Sequence, residues 1–248
     1  MDDPQLVVGL TGLFLLMAVL YSAVGQGGGS GYLAAMALMG VAPDRFRLIA
    51  LTLNVVVASI GLVKFTRAGF FNGKLLLPFV LSSVPLAFIG GYFSLPAQVF
   101  QPLVGGVLLW AALLLIWKPP VPEEEVEPTV PVLASVVAGG GIGLLSGLIG
   151  IGGGIFLAPL LILKGWASAK TTACLSSAFI LVNSLAALVG LSLHTQEIPG
   201  AMPIWMVVVA LGGWIGSGLG AKKLSPKALH WVLAGVLVVA GARIVLLP

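Results

Sequence analysis

Gly25-Gln26-Gly27-Gly28-Gly29 recurs 125 residues later as Gly150-Ile151-Gly152-Gly153-Gly154. The match continues without a gap, since Gly40 and Ser59 meet Gly165 and Ser184 at the same spacing. Each cluster precedes a short apolar run, at 30–41 and at 153–164. A helix of about twelve residues rises only about 18 Å, less than the roughly 30 Å of a bilayer core. The sequence therefore predicts a duplicated unit, each copy with a short helix that follows glycines.

The composition is that of a membrane protein. Hydrophobic residues make up 59% of the chain and charged residues 8%, whereas soluble domains carry about 25% charged residues. The net charge of +4 lies in connections between apolar runs, where it sets topology and does not indicate nucleic-acid binding. The pattern predicts an all-α polytopic membrane protein with about 8–10 membrane segments. The longer apolar runs lie at 5–24, 48–66, 75–94, 98–117, 132–149, 171–191, 203–221 and 228–247.

Residues 1–117 and 132–248 are predicted to be the two repeats, which together form one domain. Residues 118–131 form an acidic, proline-rich linker between them. An odd number of crossings in each repeat would invert the second repeat relative to the first. A cytoplasmic linker satisfies the positive-inside rule and places both termini outside. The inside would then carry nine basic residues and the outside Arg45, Arg47 and Arg243; the nine are Lys64, Arg67, Lys74, Lys118, Lys164, Lys170, Lys222, Lys223 and Lys227.

Inverted repeats with short, glycine-preceded segments indicate a transporter whose substrate site lies near the membrane midplane. Non-helical backbone in a membrane is tolerated where it is buried in protein or lines a wet cavity. Free N–H groups and the positive ends of two helix dipoles would suit an anion. The alternative is that the glycines only allow close helix packing, which is the interpretation favoured for Gly90, Gly91, Gly105 and Gly212.

The duplicated G-x-G-G-G motif, the glycine that follows each copy, and Pro159 in the second short helix resemble the sulfite exporter TauE/SafE family. This family is also called the toluene sulfonate uptake permeases, and the resemblance covers essentially the whole chain. It implies secondary transport of sulfur-containing anions such as sulfite, thiosulfate or organosulfonates, in a bacterial-type inner membrane. The first repeat has Ala34 where the second has Pro159, so its short helix is expected to begin differently.

The candidate substrate site combines the glycines with polar residues inside the apolar runs. Neutral amides and hydroxyls could replace part of an anion's hydration shell, although hydrogen bonding between helices is the alternative role. The candidates are Gln26, Gly27, Gly28, Gly29, Thr52, Asn54, Gly152, Gly153, Gly154, Ser176, Ser177 and Asn183. Arg45 and Lys170 correspond in the repeat and would flank opposite vestibules, where they could attract anions; otherwise they extend to the membrane interface.

No Asp or Glu lies in the middle of an apolar run, which argues against a cationic substrate and against a carboxylate proton relay. Proton coupling, if present, would use His194 or protonation of the substrate itself. Cys174 is the single cysteine and is expected to be a small buried residue. The chain has no motif for a metal or a cofactor, and none is predicted.

Three other functions remain open from the residues alone. Gly28-Gly29-Ser30-Gly31 resembles the nucleophile motif of an intramembrane serine protease, for which His194 and His230 are the only possible bases. Ile155 takes the place of Ser30 in the second repeat, so the glycines and not the serine are duplicated. A channel of the same architecture and a purely structural subunit also fit, as do carboxylate substrates.

Overall fold

The computed structural model describes residues 3–23, 25–116, 130–194, 197–220 and 226–246. These residues form ten α-helices, and a 3₁₀ turn at Pro43–Arg45 leads into the third. The described part of the chain contains no strand. The helices are α1 (Pro4–Ala23), α2 (Gly29–Leu38), α3 (Phe46–Arg67), α4 (Gly73–Tyr92), α5 (Ala97–Ile116), α6 (Val132–Ile149), α7 (Gly154–Leu163), α8 (Ala169–Ser192), α9 (Met202–Gly220) and α10 (Pro226–Leu246).

Each helix covers one of the predicted apolar runs, so the all-helical prediction is confirmed. The expectation that the first short helix begins differently is wrong, because α2 begins at Gly29 and α7 at Gly154, again 125 residues apart. Residues 118–129 of the predicted linker, together with Lys222 and Lys223, lie outside the described residues. The division into repeats at 117 and 132 remains a prediction.

The helices present an apolar outer surface. Among the described residues, seven helices are long and apolar enough to cross a membrane. Large apolar side chains on their outer faces are exposed, for example Leu81 on α4, Leu133 on α6 and Leu211 on α9. A contiguous apolar exterior of this kind is stable only against lipid or another protein. The chain is therefore a multi-pass membrane protein.

Small residues bring α4 and α6 into backbone contact. Gly139, Gly143 and Gly147 lie every fourth residue along α6, and a Cβ added to any of them would collide with a carbonyl oxygen of α4. On the opposite side of the bundle, α9 packs on α1, and a Cβ at Gly216 would collide with the Val19 carbonyl. Such close approach is how small residues stabilise helix pairs in membranes. The close-packing interpretation is thereby supported for Gly212, whose added Cβ would lie 2.8 Å from Ala18 Cβ.

The contacts between helices match when the two halves are exchanged. The α4–α6 pair corresponds to α9–α1, and the α4–α8 pair corresponds to α9–α3. The α3–α8 and α5–α10 pairs correspond to themselves and lie between the halves. This pattern of contacts is compatible with an approximate twofold relation between the two halves.

The short helices run toward opposite ends of the bundle. Gly31 at the start of α2 packs on Tyr21 near the end of α1, and Gly9 near the start of α1 packs on Met39 just after α2. At the opposite end of the bundle, where α3 ends and α4 begins, Trp166 just after α7 packs against Phe79 of α4. This arrangement is compatible with the predicted inverted repeats.

Candidate functional site

The two glycine clusters start the short helices with the same backbone geometry. Gly28 and Gly153 are the residues before α2 and α7, and both have left-handed backbones with φ of 97° and 83°. Side chains rarely adopt this conformation, so glycine is needed at both positions. At the other end, the Val41 and Trp166 amides donate to the carbonyls of Met36 and Leu161, which closes both helices with the same glycine-containing cap. Each short helix is therefore defined at both ends by repeat-related glycines.

The two loops meet through Asn54 on α3. Its Nδ2 donates to the Ile151 carbonyl over 3.0 Å, and Asn54 is fully buried. A Cβ added to Gly29 would collide with that same carbonyl and would lie 2.6 Å from Asn54 Nδ2. The first loop, Asn54 and the second loop therefore occupy one place. Because Asn54 lies near the middle of the 22-residue α3, this place is far from both ends of that helix.

Ile180 on α8 completes the contact between the loops. A Cβ at Gly27 would lie 3.0 Å from Ile180 Cγ2, and one at Gly152 would lie 2.8 Å from the same atom. A Cβ at Gly154 would collide with Ile180 Cδ1. One apolar side chain thus fills the space that three glycines leave open. Larger residues at these positions would push the loops apart.

Backbone N–H groups at the starts of the short helices are available as donors. The first N–H groups of any helix lack an acceptor within it. The first amide paired at α2 is that of Tyr32, which bonds the Gly28 carbonyl, and no loop carbonyl in the described residues accepts from Gly29, Ser30 or Gly31. In α7 the first paired amide is that of Phe156. Two sets of free donors and two positive dipole ends therefore lie close together.

Several buried polar side-chain atoms nearby lack a hydrogen-bond partner among the described residues. Asn54 Oδ1 would lie 3.3 Å from a Cβ at Gly27, and Ser184 Oγ would lie 3.0 Å from a Cβ at Gly152. Ser176 lies on the α8 face that contacts Gly154, because a Cβ added to Gly154 would lie 3.7 Å from Ser176 Cβ. The Oγ of Ser176 has no partner among the described residues. Gln26 is half-buried, and its Oε1 is enclosed without a partner. The serine hydroxyls in this group can donate a hydrogen bond to an anion, whereas the amide oxygens of Asn54 and Gln26 can only accept one.

Other predicted residues bond to their own helices. Thr52 Oγ1 donates to the Leu48 carbonyl, and Ser177 Oγ donates to the Ala173 carbonyl while packing against Gly61 of α3. Asn183 Nδ2 donates to the Phe179 carbonyl, although its Oδ1 is buried without a partner in the described structure. These contacts do not join Thr52 or Ser177 to the glycine loops. Their assignment to the substrate site remains a prediction.

Arg45 and Lys170 lie at opposite ends of the bundle, and their role in attracting anions remains a prediction. Arg45 forms an ion pair with Glu197, which follows the C-terminal end of α8, at 3.0 Å. Lys170 lies in the first turn of α8, with its Nζ 5.3 Å from the centre of the Phe70 ring. A 24-residue helix is about 36 Å long, so the two basic residues are separated by about a membrane thickness.

The geometry around Ser30 is not that of a protease. Ser30 Oγ donates to Tyr21 Oη over 2.9 Å in a buried setting, and this phenol is no general base. His194 is at the end of the bundle, where its Nε2 lies 2.8 Å from the Tyr92 carbonyl. The side chain of His230 lies outside the described residues. Cys174 is buried, as expected, with its Sγ 3.8 Å from Thr66 Oγ1.

Sequence reasoning missed four contributors to the site region. The Ile151 carbonyl and Ile180 were missed because apolar residues carry no polar signal. Ser184 was visible as the repeat partner of Ser59, but only the structure places it beside Gly152. Arg47 was assigned only to topology, yet it is buried, and its backbone packs against Gly150.

The fold and this site define the class. The protein is a polytopic helical membrane protein in which two halves each contribute a glycine-started short helix to one polar centre, and this organisation is typical of membrane transporters. The chain belongs to the sulfite exporter TauE/SafE family, whose profile matches residues 10–244. It is 36% identical over 240 residues to the "Probable membrane transporter protein y4hK" of Sinorhizobium fredii, covering 96% of this chain and 97% of that protein. No solved structure matches the chain. The protein is accordingly a membrane transporter and not an enzyme, which excludes the protease alternative.

Proposed function

We propose that this protein is a secondary transporter of small sulfur-containing anions such as sulfite, thiosulfate or organosulfonates. The observation that supports this proposal best is the meeting of the two glycine loops, with free N–H groups at the start of both short helices. The charge preference follows from these donors and from the two helix dipoles. The sulfur chemistry is an inference from the family.

The anion would bind between the two repeats, near the membrane midplane. Asn54 now donates to the Ile151 carbonyl, and an anion entering between the loops would take over this donor. The hydroxyls of Ser176 and Ser184, which lack partners in the described structure, would supply further hydrogen bonds. Movement of one repeat against the other would then expose the site to each side in turn.

The proposed setting is a bacterial-type inner membrane, with the linker in the cytoplasm and both termini outside. In the structure Arg45, Arg47 and Arg243 lie toward the end of the bundle where α3 begins and α10 ends. A larger number of basic residues lies toward the other end: Lys64, Arg67, Lys74, Lys164 and Lys170. Under the positive-inside rule the second end is cytoplasmic. Labelling of cysteines introduced at Glu197 and at Arg67 by an impermeant reagent would test this orientation, because only the first should react in intact cells.

Flux into proteoliposomes tests the proposed activity. We expect saturable uptake of sulfite, thiosulfate and a simple organosulfonate by the wild-type protein, and no uptake of a cationic amine. Gly28→Val and Gly153→Val should abolish uptake, because a β-branched residue with positive φ costs about 1–3 kcal/mol and disturbs the start of the helix. Gly106→Val is the matched control, since an added Cβ there would meet no described atom within 4 Å beyond the backbone of its own helix.

The outcomes separate the alternatives. Absence of sulfur-anion flux from folded, monodisperse protein would contradict the proposed substrates and favour carboxylates, which should be assayed in the same vesicles. Unlabelled anion inside the vesicles should accelerate uptake of labelled anion if the protein is a carrier. A channel would show no such acceleration and no saturation at moderate concentrations.

A further inference from the structure

A separate charged cavity lies at the end of the bundle where α3 begins. Its volume is about 350 Å³, and its walls include Arg45, Arg47, Asp44 and Glu197 together with the apolar side chains of Leu95 and Phe100. No residue of either glycine cluster lines it. The cavity and the second loop nevertheless touch through Arg47, because a Cβ at Gly150 would lie 3.0 Å from Arg47 Cα. The cavity is therefore next to the loops but distinct from their meeting place.

Arg47 is a fixed positive charge in the wall of this cavity. Only 6% of its surface is exposed. Its Nη1 donates to the Phe93 carbonyl over 2.8 Å, and its Nη2 donates to the carbonyls of Gly90 and Gly91. The last carbonyls of a helix lack donors within it, and Arg47 supplies them at the C-terminal end of α4. These three bonds hold the guanidinium in place.

Arg45, in contrast, holds an exchangeable partner. Its Nη2 lies 3.0 Å from Glu197 Oε2, and 84% of the Glu197 side chain is exposed against 31% for Arg45. Exposed ion pairs contribute little to stability and are readily broken. The pair joins the connection before α3 to the connection after α8, so it also links the two halves of the protein. With Glu197 in place, the two arginines of the cavity are balanced by Glu197 and the exposed Asp44.

We propose that this cavity is the entry site for the transported anion, and that the anion displaces Glu197 from Arg45. This inference rests on the proposed transport of anions. When the Glu197 carboxylate leaves, the cavity gains a net positive charge and an open guanidinium that suits an anionic group. Arg47 then keeps the anion beside Gly150 and the second loop. Glu197 acts as a resident competitor that keeps the entry site neutral until an anion arrives.

In the described residues, the equivalent positions at the other end of the protein carry different side chains. The repeat equivalents of Arg45 and Arg47 are Lys170 and Thr172. Lys170 lies over the Phe70 ring, and Thr172 is buried and neutral. We therefore expect Glu197 to compete with an anion at the end that carries Arg45, and not at the end that carries Lys170.

Kinetics of thiosulfate uptake test this inference, with equilibrium binding of labelled thiosulfate to the purified protein as a second measurement. Glu197→Gln should lower KM and Kd by about three- to tenfold, because the competitor is removed. Arg45→Gln should raise both by about tenfold, since a charge-assisted contact is lost, and Arg45→Lys should restore part of the affinity. In the double variant Arg45→Gln/Glu197→Gln the gain from Glu197→Gln should disappear.

Arg243→Gln is the matched control, because it removes a positive charge at the same end of the bundle but outside this cavity. It should leave KM unchanged. If wild-type uptake is present and Glu197→Gln does not lower KM, the entry-site inference fails and the transport function stands. If Arg243→Gln raises KM as much as Arg45→Gln does, the change in KM reflects general surface charge, and the inference is also overturned. Absence of both thiosulfate uptake and binding in the wild type would contradict the transport proposal and the inference together.

Discussion

The two glycine loops have the same backbone geometry but different side chains. Both place a left-handed glycine before the short helix, and both short helices have ten residues. Gln26 in the first loop is replaced by Ile151 in the second, and Asn54 on α3 is replaced by Phe179 on α8. Asn54 bonds the opposite loop, whereas Phe179 packs on Gly153 of its own repeat. The backbone that presents N–H groups is therefore alike in the two loops, while the side chains around it differ.

The largest effect is expected from an alanine substitution at Gly29, compared with the same substitution at its repeat partner Gly154. The Cβ of Gly29→Ala would meet the Ile151 carbonyl, which is backbone, while that of Gly154→Ala would meet the Ile180 side chain. Backbone cannot yield without moving the loop, so Gly29→Ala should cost about 1–3 kcal/mol and reduce the transport rate by up to about a hundredfold. Initial rates in proteoliposomes, corrected for the amount of folded protein, measure this loss.

Gly154→Ala should be milder and reversible by a second change. Ile180→Ala removes the atoms that the new Cβ would meet, so the double variant Gly154→Ala/Ile180→Ala should recover most of the rate. The same second change should not rescue Gly29→Ala. Equal losses of transport rate in Gly29→Ala and Gly154→Ala, or rescue of both by Ile180→Ala, would show that the two loops tolerate side chains equally. Either result would contradict the proposed difference between the loops.

A smaller effect is expected from Asn54, the side chain that joins the loops. Asn54→Leu removes the bond to the Ile151 carbonyl and leaves that buried acceptor unpaired, at a cost of about 1–3 kcal/mol. We expect the transport rate to fall by about tenfold and KM to rise, because a donor to the anion is lost as well. Asn54→Asp should raise KM further, since its carboxylate would repel an anion. Uptake rates across a range of thiosulfate concentrations separate the two quantities.

Phe179→Leu is the control at the repeat-related position. Phe179 is fully buried, so the smaller side chain should lower stability by about 1–2 kcal/mol without changing KM. Thermal unfolding of the purified protein measures the first quantity and uptake the second. A rise in KM as large as that of Asn54→Leu would place the anion equally close to Phe179 and would contradict the specialised role of Asn54.

Much of this fold could be predicted from the sequence, because it depends on periodic and repeated signals. The ten apolar runs, and the glycines that end α2 and α7, carry their structural meaning locally. Asn54 and Ser176 could be proposed for the site because buried polar residues within apolar helices are few; both lie beside the loops, and their role in binding remains a prediction. The Ile151 carbonyl and Ile180 could not be predicted, because a backbone acceptor and an apolar contact depend only on how the helices pack. The pairing of Arg45 with Glu197 spans 152 residues and has no local signal.

The smallest effect is expected from alanine substitutions at two serines, Ser59 and Ser184, that occupy the same position in the repeats. Ser59 Oγ donates to the Val55 carbonyl over 2.7 Å, so its hydroxyl is already used within α3. Ser184 Oγ is buried beside Gly152 and has no partner among the described residues. If Ser184 donates to the anion, Ser184→Ala should raise KM by about two- to tenfold, the value of one neutral hydrogen bond, with kcat nearly unchanged. Ser59→Ala should leave KM as it is, because its lost bond is intrahelical. Equal KM values for the two variants would mean that Ser184 serves packing and does not contact the anion.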